Sequence, residues 1–122
     1  MPVKVLIIDD AVHIRHLIAR MLEHSNFITI EAGNGLQGLE MLTEQKPDVV
    51  TCDISMPLMD GYEFLVAAKG NSKTQDIPII VITAVGQEEE MTKAIELGAD
   101  ACLTKPFSSS RLLEIIETQL EK

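Results

Sequence analysis

The chain has 122 residues, 46% of them hydrophobic and 24% charged, with no tryptophan. That length suits one domain, residues 1–122, able to bury roughly two thirds of its unfolded surface without a disulfide framework or a structural metal. Nineteen acidic against ten basic residues leave a formal charge of −9, which repels phosphate backbones and anionic lipid and argues against direct nucleic-acid or membrane binding.

The first element is a continuous apolar strand, Val3 to Ile8, of the kind buried on both faces. With Lys4 inside it, the run is too short for a signal segment, and nothing else approaches a membrane span, so a cytoplasmic location is expected. Asp9 and Asp10 end the strand. From Ala11 the period becomes helical, with Ile14, Leu17, Ile18, Met21 and Leu22 on one face and His13, Arg15, His16, Arg20 and Glu23 on the wet one. His24-Ser25-Asn26 is a turn and Phe27 to Ala32 a second strand. Gly33-Asn34-Gly35 feeds a helix carrying Leu36, Leu39 and Leu42, which Pro47 stops.

Val49 to Asp53 is the third strand, delivering a single aspartate to its end, and Ser55 to Pro57 is a loop. Asp60-Gly61 caps a third helix through Phe64, Leu65 and Ala68. Gly70 to Asp76 reads as a loop, followed by the strand Ile79 to Thr83. Glu88, Glu89 and Glu90 open a fourth helix, Gln87 to Leu97, where the helix dipole favours anions, and Gly98 stands as its C-terminal cap. Ala99 to Thr104 is the fifth strand. Ser108 or Ser109 caps a last helix with Leu112, Leu113, Ile116 and Leu120 on one face. Cys52 and Cys102 lie within apolar strand patterns, too few for a zinc site, and read as buried thiols.

Five alternations of strand and crossover-length helix give an α/β fold, a five-stranded parallel sheet with helices on both faces. Alternation leaves more than one strand order open. In the order 2-1-3-4-5 the winding reverses between strands 1 and 3, where ligands bind beyond the strands' carboxyl ends. Asp9, Asp10 and Asp53 would then crowd one rim, with Thr83 and Lys105 beside them. Carboxylates this close need a cation, and hard oxygen donors select Mg²⁺, or Mn²⁺, over zinc.

These residues carry a resemblance that spans the whole chain. Asp9-Asp10, Asp53 with Met56-Pro57 and Asp60-Gly61, Thr83-Ala84, and Lys105-Pro106-Phe107 together closely resemble the receiver domain of two-component response regulators, of the chemotaxis-regulator type. The resemblance implies the flavodoxin-like (βα)5 order 2-1-3-4-5 and a phosphorylation-activated switch. Asp53 would accept a phosphoryl group from a sensor histidine kinase or phosphotransfer protein. Asp10 would bind Mg²⁺ directly, Asp9 mainly through water, and the backbone carbonyl of Ser55 would complete the set. Lys105 would pair with the phosphoryl oxygens, Thr83 would turn its hydroxyl onto them, and small Ala84 would leave access. Ser55 and Val85 would tune dephosphorylation, and the Lys105-Pro106 peptide would be cis.

The resemblance further implies a monomer before phosphorylation and a downstream protein partner bound through helix 4, strand 5 and helix 5. Cys102 departs from the pattern, since members of the family commonly place there an aromatic that turns inward on activation. That departure keeps open a receiver-shaped binding module that works without phosphate. An aspartyl-nucleophile phosphatase is a more distant alternative, because Ser55 stands where its second aspartate belongs. His13 and His16 are read as solvated, and Tyr62, Phe64 and Phe107 as packing residues. The chain reads as either a free-standing regulator or a receiver cut from a longer protein.

Overall fold

The computed structural model describes residues 2–122. Strands β1 (Lys4–Ile8), β2 (Ile28–Ala32), β3 (Val49–Asp53), β4 (Ile79–Ala84) and β5 (Ala101–Lys105) alternate with helices α1 (Val12–Glu23), α2 (Gly35–Gln45), α3 (Gly61–Lys69), α4 (Glu88–Glu96) and α5 (Ser109–Leu120). The strands form one parallel sheet in the order β2-β1-β3-β4-β5, the flavodoxin-like arrangement that the resemblance implies.

Side chains that alternate along the central strands enter two separate cores, which is why these strands are apolar throughout. Leu6, Ile8, Val50, Cys52 and Val81 pack with Leu42, Phe64, Leu65 and Ala94 from α2, α3 and α4. Val5, Ile7, Val49, Ile80 and Ile82 pack with Ile18, Leu22, Leu112 and Ile116 from α1 and α5. A one-residue slip would exchange the two sets, so this burial fixes the register that lines up the strand ends.

Local signals set the helix starts. Asn34 accepts from the Gln37 N–H, and Ser108 accepts from the Arg111 N–H. Asp60 and Glu63 form a reciprocal capping box at α3, the strongest of the three starts because two backbone donors are satisfied at once.

The fifth strand begins two residues later than its apolar run suggests. The Ala99 N–H closes on the Ala94 carbonyl at 3.0 Å, so Ala99 belongs to the exit from α4, and the Asp100 N–H donates to Ile79 O at 2.9 Å just ahead of the strand. Gly98, at φ +111°, makes that exit. Asp100 then accepts from both the Ile79 N–H and Lys69 Nζ at 2.8 Å.

Two positions on α1 depart from the helical periodicity. Leu17 is 51% exposed, because the helix meets the sheet through Ile18, Ala19 and Leu22. Arg15 turns inward instead of lying on the wet face. Cys52 is fully buried, whereas Cys102 on the edge strand β5 is only partly covered.

Thr51 lies at the centre of β3 with its hydroxyl buried and without a hydrogen-bond partner among the described residues. A buried hydroxyl in that condition costs roughly 1–3 kcal/mol. Thr51→Val keeps the shape and removes the oxygen, so it is expected to raise the stability measured by urea unfolding by about 1 kcal/mol. A loss of stability would show that the hydroxyl has a partner.

Candidate functional site

The site is built where strand pairing runs out. Ile8 of β1 pairs with Cys52 of β3, so Asp9 and Asp53, the next residues of the two segments, emerge side by side. On the other flank Asp53 pairs with Ile82, and Thr83 and Ala84 pair with Thr104 and Lys105. Parallel register alone therefore places Asp9, Asp53, Thr83 and Lys105 on one rim.

One carboxylate oxygen from each of Asp9, Asp10 and Asp53 lies within 4.8 Å of the others. At that separation each pair of full charges repels by about 3 kcal/mol at an effective dielectric near 20. The Lys105 ammonium offsets part of this, 3.6 Å from Asp53 Oδ1 and 3.7 Å from Asp9 Oδ2. Those contacts are longer than good hydrogen bonds.

Asp9 is almost fully buried. Its Oδ1 accepts from the Ala11 N–H at 2.9 Å, while Oδ2 has no hydrogen-bond partner among the described residues. A buried carboxylate oxygen left bare beside two further carboxylates is a donor set that fits a hard divalent cation such as Mg²⁺.

A cavity of about 300 Å³ opens over Asp53, walled by Ser55, Thr83, Gln87, Glu90 and Lys105 among others. The Thr83 hydroxyl is buried and, among the described residues, unpaired. It thus keeps its hydrogen-bonding capacity for a group that enters. Ala84 lies exposed on the same wall, and the Lys105-Pro106 peptide is cis.

Backbone packing holds the floor. Gly61 opens α3 directly against the end of β3, and its N–H donates to Ile54 O at 2.8 Å. A Cβ there would stand 2.4 Å from Asp53 O, so any side chain must push the Asp53 backbone aside. Gly35 does the same for the β3–α3 loop, donating to Met59 O at 3.1 Å where a Cβ would lie 2.6 Å away. Within that loop the Met59 N–H reaches back to Pro57 O, with Leu58 at φ +69°, a strained three-residue turn.

Of the residues singled out from sequence, Asp9, Asp10, Asp53, Ser55, Thr83, Ala84 and Lys105 come together. Cys102 does not: it lines a separate cavity of about 320 Å³ with Met91 and Arg111. Its expected full burial fails because β5 is an edge strand. His16 is exposed, its Nε2 3.5 Å from Glu31 Oε1, and the carboxylate group includes neither His13 nor His16.

Sequence reasoning missed Gln87 and Glu90 on the cavity wall, where the helical start of α4 already explained them. It also missed Arg15, whose Nη1 donates to Asp9 O at 2.7 Å while Nε reaches Glu31 at 2.9 Å. That clamp fixes the backbone from which Asp9 projects.

The sequence matches the response regulator receiver domain over residues 5–117. The chain belongs to that family. It is 41% identical over 115 residues to the chemotaxis protein CheY of Listeria monocytogenes, covering 93% of this chain and 95% of that protein. With CheY of Halobacterium salinarum it shares 40% over 119 residues, 96% of each chain. Among solved structures, the chemotaxis response regulator CheY4 of Vibrio cholerae superimposes with a TM-score of 0.91 at 29% identity, over 98% of this chain and all of that one.

In this receiver domain, burial and then the neighbouring Asp9 charge push the Asp53 carboxyl above its ordinary value, against the lowering pull of Lys105 and of the Ile54 N–H. Folding therefore favours the protonated form, and the ionised form costs stability once pH rises through the unfolded-state carboxylate range. With a chelator present at pH 7, Asp53→Asn is expected to raise the thermal unfolding midpoint by a few degrees. The difference should close below the usual carboxylate pKa; a lowered midpoint at pH 7 would contradict this electrostatic picture.

Proposed function

We propose that this receiver is a phosphorylation-activated switch in which Asp53 accepts a phosphoryl group from a phosphohistidine on a sensor histidine kinase or phosphotransfer protein. The observation that carries the reading is the arrangement around Asp53: two further carboxylates, one lysine at 3.6 Å and one buried hydroxyl unpaired among the described residues, facing a cavity large enough for a phosphoryl group. Membership of the receiver family supports it, as does the match to chemotaxis proteins along nearly the full length of both chains.

A carboxylate oxygen of Asp53 attacks phosphorus in line, the P–N bond breaks, and the imidazole leaves with the electron pair. Asp10, Asp53 and the backbone carbonyl of Ser55 would hold Mg²⁺, with Asp9 engaged through water. Its chemistry there is neutralisation of charge on the transferred oxygens. Lys105 pairs with the same oxygens from the opposite wall, and Thr83 donates its free hydroxyl to one of them. Donors aimed at the transferred oxygens stabilise the charge that develops on them.

The phosphoryl group then biases the loops that carry Thr83 and Lys105, and through them the α4–β5–α5 face offered to a downstream protein. A phosphatase reading is disfavoured by Ser55, whose side chain cannot serve as the general acid such an enzyme needs two residues after its nucleophile.

With a small acyl-phosphate donor and Mg²⁺, intact-mass spectrometry should show one added phosphoryl group per chain, none on Asp53→Asn, and none when a chelator replaces the metal. Lys105→Met should react at least about tenfold more slowly. An unchanged wild-type mass, under conditions that phosphorylate a control receiver, would overturn the switch and favour a binding module that works without phosphate.

A further inference from the structure

Glu90 stands in two environments at once. On one side it walls the cavity over Asp53. On the other its charge acts on Tyr62 of α3, whose phenol is pushed above its ordinary value by burial first and then by the charges of Glu90 and Asp60. One turn along α4, the Lys93 ammonium sits over the Tyr62 ring, 4.2 Å from its centre, a cation–π contact between the two helices.

Little else anchors this part of α4. Ala94 is its only fully buried residue among those described, and the Cys102 thiol reaches the Met91 carbonyl only at 3.9 Å. A helix with so small a buried face belongs to the part of a fold that moves at low cost. Its first turn is also crowded with Glu88, Glu89 and Glu90, so further negative charge nearby meets resistance from the helix itself.

We infer that Glu90 is the positioning residue that registers the phosphoryl group on Asp53 and passes the change to the Lys93–Tyr62 contact joining α4 to α3. The inference rests on the proposed role of Asp53 as phosphoacceptor. A phosphoryl group adds negative charge and acceptor oxygens to a cavity that already contains a carboxylate on its α4 wall. Repulsion drives the Glu90 side chain out of the cavity towards the Tyr62 side. Glu90 and Lys93 lie three residues apart on one helical face, so the displaced carboxylate competes with the tyrosine ring for the ammonium. The signal then leaves through α3 and α4, on a path that does not require an aromatic at position 102.

Tyr62 is the only tyrosine, and the chain has no tryptophan, so ultraviolet emission of the intact protein reports this one ring. Emission is followed in Mg²⁺ before and after addition of a small acyl-phosphate donor, with the phosphorylated fraction read by intact mass on the same samples. The wild type should show an emission change that tracks that fraction. Glu90→Gln should take up at least as much phosphoryl group yet lose most of the change, whereas Glu96→Gln, exposed on the same helix, should keep it. Full phosphorylation without an emission change, or a wild-type response in Glu90→Gln, would overturn the role of Glu90 and leave Asp53 as acceptor untouched. Absence of phosphorylation in the wild type would remove the acceptor reading, and this inference with it.

Discussion

Three carboxylates held within 4.8 Å of one another, with one lysine more than 3.5 Å away, form the constraint on which the rest of this structure depends. Left alone, the like charges of Asp9, Asp10 and Asp53 would drive the three side chains apart. Asp9 and Asp53 stay together because each is attached to a firmly held backbone. Asp9 and Asp53 follow strands buried on both faces, and Arg15 and Gly61 fix the carbonyls on either side of the gap. The sheet thus stores an electrostatic conflict that a divalent cation can relieve.

That division of labour explains where the molecule is rigid and where it is loose. The central strands bury their apolar side chains against the inner faces of the helices, and a packed core of this kind does not deform by small amounts. Around the cavity the support is polar and local: among the described residues, a threonine hydroxyl without a partner and a helix α4 with one fully buried residue. A charge change at Asp53 will be absorbed there and not in the core.

The sequence was most legible where one physical rule acted alone. Val49–Asp53 was bounded correctly because the proline before it and the aspartate ending it leave no choice. The cap at Asp60 is legible for the same reason, and the last helix start is legible to within the pair Ser108 and Ser109, whereas the reciprocal partner Glu63 is not. Errors arose where distant contacts overruled local pattern. Ala99 looks like strand, yet its N–H is taken by Ala94 of α4. Arg15 looks solvated on a helical wheel, yet Glu31 on β2 and the Asp9 carbonyl draw it inward. Cys102 sits in an apolar run, but edge position, which depends on strand order, leaves it half covered. Glu90 was hidden because a glutamate in a first helical turn already has an explanation.

On the proposed reading, the crowded rim carries a phosphoryl group on Asp53. Reductive trapping with borohydride tests it most directly, since an acyl phosphate on a carboxylate is reduced to an alcohol while free carboxylates are left intact. After treatment with an acyl-phosphate donor and Mg²⁺, peptide mass spectrometry should find homoserine at position 53, with Asp9 and Asp10 unmodified. Trapping at Asp9 or Asp10, or at no residue, would contradict the account.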